Sequence, residues 1–204
     1  MTVWYSQAGQ DRWVMTMLPL EHGFFVEVGA YDGVQTSNTY ALELAGWRGV
    51  CIEANPQVFE SLKQNRISVN LHAAATGGAP MVRFDGDRVV QTGGTPVRGA
   101  TLTALLDEAG APADVDYLSI DIEGGELEVL AAFDFDRYRV KLMTVEHNLY
   151  CEGPGPKQAI FELLTARGFR RVVEDAPCLD PNPLYHLKAY EDWYANETWL
   201  TGRP

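Results

Sequence analysis

The sequence predicts an α/β fold, doubly wound around a mostly parallel sheet that carries an antiparallel edge strand. Three observations support this. Short apolar, β-branched runs alternate with helical stretches, as strand-helix-strand units require. Glycine or proline punctuates the changeovers. Carboxylates stand at the ends of successive apolar runs, where open parallel sheets bind their ligands. The 204 residues suffice for one core, so a single domain over 1–204 is expected.

The first unit is Phe24-Phe25-Val26-Glu27-Val28, stopped at Gly29 and followed by a helical pattern from Ser37 to Ala45. The second is Gly49-Val50-Cys51-Ile52-Glu53, after which Pro56 opens a stretch with Val58, Phe59 and Leu62 on one helical face. Ile67 to Ala74 supplies a third strand, and Met81 to Phe84 with Arg88 to Val90 predict a small hairpin across Gly86. Gln91 to Ala100 is rich in Gly and Thr, holds Pro96 and lacks apolar periodicity, which predicts a mobile loop before a short helix from Thr101 to Glu108. Val115 to Ile120 is the next buried strand, ending at Asp121, with a helix from Glu126 to Phe133 behind it. Val140 to Val145 follows and ends at Glu146-His147-Asn148. Pro156 to Ala166 reads as an amphipathic helix stopped by Gly168, and Phe169 to Val173 as a strand. From Ala176 the pattern dissolves into prolines and aromatics, with Tyr185-His186-Leu187 as a last edge strand and residues 176–204 as a candidate lid.

A net charge of -12 works against the counterion-releasing contacts that bind phosphate backbones, so nucleic acid is not an expected partner. Cys51, Cys151 and Cys178 form no Cys-x-x-Cys pair and read as isolated thiols in a reducing compartment. The stretch from Met1 to Leu20 carries Gln7, Gln10, Asp11 and Arg12, unlike a secretory signal, and no run approaches the roughly 20 apolar residues of a membrane span. The expected location is the cytoplasm. The aromatics of the tail suit core packing, a cover over an acceptor, or a homodimer contact.

The turn Glu27-Val28-Gly29-Ala30-Tyr31-Asp32-Gly33 follows the first strand, Glu53 ends the second, Asp121 ends the fourth major one, and Glu146 and His147 end the fifth. A dinucleotide site wants Gly-x-Gly-x-x-Gly so that a pyrophosphate can approach the backbone. Tyr31 stands at the middle glycine's place, and Asp32 brings a charge that repels phosphate but suits an ammonium. The turn therefore favours a sulfonium nucleoside over NAD. Glu53 is placed to accept ribose hydroxyl protons, a role common to both ligands.

A wider pattern joins these residues. Tyr5-Ser6-Gln7 with Gly9-Gln10-Asp11, the Glu27 to Gly33 turn, Ser37-Asn38-Thr39, Cys51-Ile52-Glu53-Ala54-Asn55-Pro56, Ser119-Ile120-Asp121-Ile122-Glu123-Gly124 and Val145-Glu146-His147-Asn148 resemble the FkbM-type methyltransferases in order and spacing. The resemblance covers Tyr5 to Asn148 and fades beyond Cys151. It implies a Rossmann-like class I methyltransferase fold, S-adenosylmethionine as donor, and O-methylation of a hydroxyl on a sugar, glycan or secondary metabolite. It puts Glu27, Gly29, Asp32 and Gly33, with Ala30 in the same turn, around the methionine part of the cofactor. Glu53, Ala54 and Asn55 fall around ribose and adenine, Gln7 and Asp11 cover the cofactor from the N-terminal segment, and Asp121 joins from its strand end. Ser37 and Asn38 are either cofactor contacts or caps of the following helix. His72-Ala73-Ala74 stands where small residues are expected beside adenine.

Displacement at a sulfonium carbon releases a neutral thioether that needs no acid, whereas a hydroxyl acceptor needs a general base, a Lewis-acidic metal or both. Asp121, Glu123 and His147 are the candidate catalytic residues, the imidazole because it titrates near neutral pH. Asp121 and the cluster Glu146, His147 and Asn148 end adjacent strands, which resembles the Mg2+ ligands of catechol-type O-methyltransferases. Mg2+ or Mn2+ is thus a candidate second cofactor. Plainer readings stand beside these, with Glu123 and Glu126 as acids at a helix start near Gly125 and His147 packed under a loop. Two other functions compete: an NAD-dependent oxidoreductase, and a non-catalytic module that binds a nucleoside or a partner.

Overall fold

The computed structural model describes residues 3–86, 88–147, 149, 153–179 and 186–202. A helix α1 (Gln10–Met17) precedes the first predicted strand, β1 (Phe24–Val28), which leads through α2 (Tyr40–Leu44) to β2 (Arg48–Glu53), α3 (Pro56–Asn65) and β3 (Val69–His72). Four short strands follow: β4 (Ala74–Ala75), β5 (Met81–Asp85), β6 (Arg88–Val90) and β7 (Thr95–Ala100). The alternation then resumes with α4 (Leu102–Glu108), β8 (Asp114–Ile120), α5 (Glu126–Ala131), β9 (Arg139–Glu146), α6 (Pro154–Ala166), β10 (Phe169–Pro177), β11 (Ala189–Asn196) and α7 (Glu197–Thr201).

The main sheet has seven strands in the order β10-β11-β9-β8-β1-β2-β3. Strands β9, β8, β1, β2 and β3 are mutually parallel, and β11 runs antiparallel to both β9 and β10. The sheet is the doubly wound, mostly parallel one expected, with its antiparallel pairing at one edge. Strand order reverses between β1 and β8, and that junction is where a parallel sheet opens a crevice at its carboxyl ends.

Alternating residues explain why the central strands read as continuous apolar runs. Val26, Val28, Val50, Ile52, Leu118 and Ile120 pack on one face against Leu102 and Leu105 of α4 and Val129 and Leu130 of α5. Phe25, Cys51, Tyr117 and Leu142 pack on the other against Val14 of α1, Leu42 of α2 and Leu62 of α3. With helices on both faces, neither side of these strands has a polar alternative. Among the described residues no helix is long and apolar enough to cross a membrane.

Three sequence expectations are corrected. The stretch 91–100 is not all loop: β7 joins a second sheet in the order β4-β7-β5-β6. Pro96 is tolerated because β4 pairs only with Gly99 and Ala100, so the missing N–H costs no bond on that side. The last strand is not at residues 185–187 but at β11, inside the sheet; Leu187 has a φ of 59°, and Tyr185 lies outside the described residues. The tail, for which a lid, core packing or a dimer contact were open, contributes a core strand, with Tyr194 wholly buried. The helical pattern from Ser37 begins later than expected, at Tyr40, because the preceding residues are tied to Glu27.

Candidate active site

A cleft of about 440 Å³ opens at the carboxyl ends of β1, β2 and β8. Gln7, Gly29, Tyr31, Glu53, Ala54, Asn55, Asp121 and Glu123 line it together with Val58, Ala73 to Ala75, Phe84, Gly86 and Val89. Of the residues expected at a cofactor, it brings together Gln7, Gly29, Glu53, Ala54, Asn55 and Asp121. Gly29 has a φ of +86°, and a Cβ there would stand 1.7 Å from the carbonyl oxygen of Asp121. Only glycine lets the ends of β1 and β8 approach this closely.

Glu53 holds its carboxylate at the cleft through two backbone donors: Tyr31 N–H to Oε2 at 2.8 Å and Asn55 N–H to Oε1 at 2.6 Å. Burial pushes its carboxyl above the usual range, and these amides only partly offset that. Among the described residues no side chain bonds to it, and it lines the cleft, where its remaining lone pairs suit the paired hydroxyls of a ribose. Asn55 caps α3, its Oδ1 accepting from Gln57 and Val58, as the sequence Asn-Pro at a helix start leads one to expect.

Other expected contacts are held elsewhere. The Glu27 carboxylate accepts from Ser37 Oγ, Thr39 Oγ1, the Asn38 amide and Arg66 Nη1, and does not line the cleft. Ser37 also receives the amides of Thr39 and Tyr40, so its hydroxyl acts as a cap. Asn38 donates to Ser119 Oγ, and Asp11 fastens the N-terminal segment through Tyr5 N and Ser6 Oγ. Asp32 accepts from Val34 N, Gln35 N and Gln35 Nε2 and so closes its own turn. Gly33 has a φ of +81° and lies against Arg66, while Ala30 is buried, its amide bonded to Ile52 O.

The acidic end of the cleft gathers Asp121, Glu123 and Glu146, which each offer a carboxylate oxygen within 4.8 Å of the others. Glu146 is buried with Oε2 unpartnered. Burial, then the neighbouring Asp121 charge and a hydrogen bond with Asp121, hold its carboxyl far above the usual range. Tyr190 donates its hydroxyl to Asp121 Oδ2, and its oxygen lies 3.1 Å from Gln7 Oε1. Burial raises that phenol well above its ordinary range, so it stays a donor. Sequence reasoning noted Tyr190 only as a tail aromatic; its register on β11, beside a partner of Glu146, gave no signal before the strand was located.

The expected metal set is split. His147 turns its Nε2 toward Asp175 and Asp192, at 3.4 and 3.5 Å, while its Nδ1 accepts from the Leu149 amide. Glu146 groups with Asp121 and Glu123, whereas His147, just past the end of β9, groups with Asp175 and Asp192. Asn148 lies outside the described residues. Among the described residues, Asp121 and Glu146 therefore do not share a centre with His147. His147 does not line the cleft described above, and with Arg171 it faces Asp192.

The methyltransferase FkbM domain family matches residues 27–171, beginning later and running further than the motif pattern in the sequence. No curated protein matches the chain. Among solved structures, the METTL16 MTase domain superposes with a TM-score of 0.53 at 15% identity, covering 90% of this chain and 64% of that one. This chain thus spans under two thirds of that relative's length. Aeropyrum pernix fibrillarin in complex with bound S-adenosyl-L-methionine gives 0.51 at 13% identity, over 92% of this chain and 76% of that one. Human methyltransferase 10 domain containing protein gives 0.50 at 14%, over 92% and 80%. These likenesses show the fold, that of class I methyltransferases, and the match over most of its length shows that the chain belongs to the FkbM methyltransferase family.

Proposed function

We propose that this chain transfers the methyl group of S-adenosylmethionine to a hydroxyl of a sugar, glycan or secondary metabolite. The observation that carries the donor is Glu53: a buried carboxylate at the end of β2, held by backbone amides alone and open to a cleft at the strand-order reversal. The crevice fits such a donor in its chemistry, with an apolar end beside Ala73 and Val58, a hydroxyl acceptor in Glu53, and an acidic end that suits a cation. The net charge of -12 supports a small or glycan acceptor over a nucleic acid.

Bound S-adenosylmethionine supplies an electrophilic methyl carbon on a sulfur that leaves as a neutral thioether. The chain's own work is then orientation and proton removal. Tyr190 fixes Asp121 by donating to Oδ2, and Glu146, its carboxyl held far above the usual range by burial and by Asp121, stands beside it. Glu123, at the mouth of the cluster, receives the acceptor hydroxyl's proton at its carboxylate, with Asp121 orienting the acceptor beside it. A nicotinamide cofactor is disfavoured because Tyr31 and the turn that Asp32 closes occupy the place of a pyrophosphate cradle.

Thermal shift with S-adenosylhomocysteine, NAD and buffer tests the donor. A ligand at about 100 times its dissociation constant stabilises by about 2.7 kcal/mol, and only S-adenosylhomocysteine is expected to do so. Methyl transfer to a panel of sugar and polyketide hydroxyls tests the acceptor, and turnover confined to amines would overturn the oxygen assignment.

A further inference from the structure

The small second sheet has no part in the chemistry described so far, yet it reaches the cleft. Phe84 of β5 and Val89 of β6 are direct cross-strand partners, so their side chains share a face, and both line the cleft. Val82, two residues before Phe84, continues that face toward its partner Val97, which is buried in the small sheet. Val89 is 46% exposed, an apolar side chain turned to the crevice without cover. Val58 of α3 and the small residues Ala73 and Ala74 line the same cleft. The charged lining residues stand at the end of β2, Glu53, and just past the end of β8, Asp121 and Glu123.

One hydrogen-bonded path joins this apolar end to the ribose position. The amide of Asn55 donates to Glu53 Oε1 at 2.6 Å, and Asn55 Nδ2 donates to the carbonyl of Gly86, at the hairpin turn, at 2.8 Å. Gly86 has a φ of +66°, which turns the chain back and lets that carbonyl reach Asn55. An apolar slot with an aromatic wall, one residue removed from a ribose acceptor, suits a flat neutral heteroaromatic base.

We propose that the β5–β6 hairpin is the roof of the adenine pocket and that Asn55 latches it to the ribose-binding strand end. The proposal rests on the cleft holding S-adenosylmethionine. It assigns Phe84 and Val89 as base-contacting residues and predicts that cofactor affinity depends on a hairpin outside the seven-stranded sheet.

Calorimetry on the full chain tests it with two ligands: S-adenosylhomocysteine, and 5′-methylthioadenosine, which keeps base and ribose but lacks the amino acid. Wild type is expected to bind both. Val89→Asp and Phe84→Ala are expected to weaken both by about tenfold, while Asp121→Asn weakens S-adenosylhomocysteine and spares methylthioadenosine. Folded hairpin variants with wild-type affinity would overturn the roof and leave the cofactor site standing. A wild-type chain that binds neither ligand would overturn both. Hydrogen exchange supplies a measurement free of mutation: S-adenosylhomocysteine should slow exchange of the amides around Phe84 and Val89, and unchanged rates in the bound protein would also defeat the roof.

Discussion

Glu27 and Glu53 lie on neighbouring parallel strands, two positions apart in register, since Glu27 pairs with Cys51. Both are nearly inaccessible, 3% and 6% exposed, so burial does not separate them. Their partners do. Glu27 is surrounded by side-chain donors of its own chain, among them the guanidinium of Arg66, which also pairs with Glu43. Glu53 has two backbone amides and an open side. A carboxylate at a strand end is therefore a structural anchor when the fold fills its lone pairs and a candidate ligand site when it leaves them facing a cleft.

The largest expected effect breaks the anchor. Glu27→Ala removes one of two carboxylates from a wholly buried Arg66 and leaves the hydroxyls of Ser37 and Thr39 without their acceptor. Loss of one partner of a buried ion pair costs about 3 to 5 kcal/mol, to be read from urea unfolding. A loss under about 1 kcal/mol would mean that Glu43 alone suffices. The opposite pattern is expected for Glu53→Ala: near-native stability, with S-adenosylhomocysteine affinity reduced by about 1 to 3 kcal/mol as buried ribose hydroxyls lose a charged acceptor. Unchanged affinity by calorimetry would place the ribose elsewhere.

Much of this contrast was legible in the sequence, though not the part that separates the two acids. The strand ends, the Gly29 turn and the Asn55-Pro56 helix start follow from local pattern, and each is found where expected. The strand-end rule placed Glu27, Asp32 and His147 at the site together with Glu53 and Asp121, because position along a strand is visible and side-chain partners are not. Arg66 gave no signal: it follows α3 and reaches Glu27 across 39 residues of sequence. Strand β11 was hidden because Glu191, Asp192 and the aromatics around them show no apolar alternation; its two acids are buried and satisfied only in three dimensions.

Those two acids repeat the comparison within one strand and supply the next expected effect. Burial pushes Asp192 up, but the neighbouring His147 imidazole and hydrogen bonds from the Asp175 amide and Arg171 prevail and hold it at about 2. Burial pushes Glu191 up to about 8, and the indole of Trp193 only partly opposes it. Between the ordinary glutamate value of 4.5 and 8, the folded chain keeps a proton on Glu191 that the unfolded chain has lost. Stability from this group is full below about pH 4.5 and lost as pH rises through 8. Glu191→Gln is expected to flatten the fall of Tm over this window and to raise Tm at pH 8.5, by about 2 to 4 °C per kcal/mol relieved. Parallel Tm profiles in the two proteins would show Glu191 ionised throughout.

The smallest expected effect is the sharpest for the comparison, because Asp32 is a strand-end acid whose position alone makes it a cofactor ligand. Its oxygens accept from the amides of Val34 and Gln35 and from the Gln35 side chain, all within one turn on a partly exposed surface. If filled lone pairs mark an anchor, Asp32→Ala costs only the turn, about 1 kcal/mol of stability for hydrogen bonds that water partly replaces. Affinity for S-adenosylhomocysteine should stay within about twofold of wild type, since the cleft wall at Gly29 and Tyr31 is held by Ile52 O and Glu53 Oε2 rather than by Asp32. Asp32→Asn should then recover the stability, because its amide oxygen can still accept from the two backbone donors. A tenfold loss of affinity in both variants would show that Asp32 leaves its turn to hold the ammonium of the bound ligand, and that lone pairs filled in the free protein do not by themselves mark an anchor.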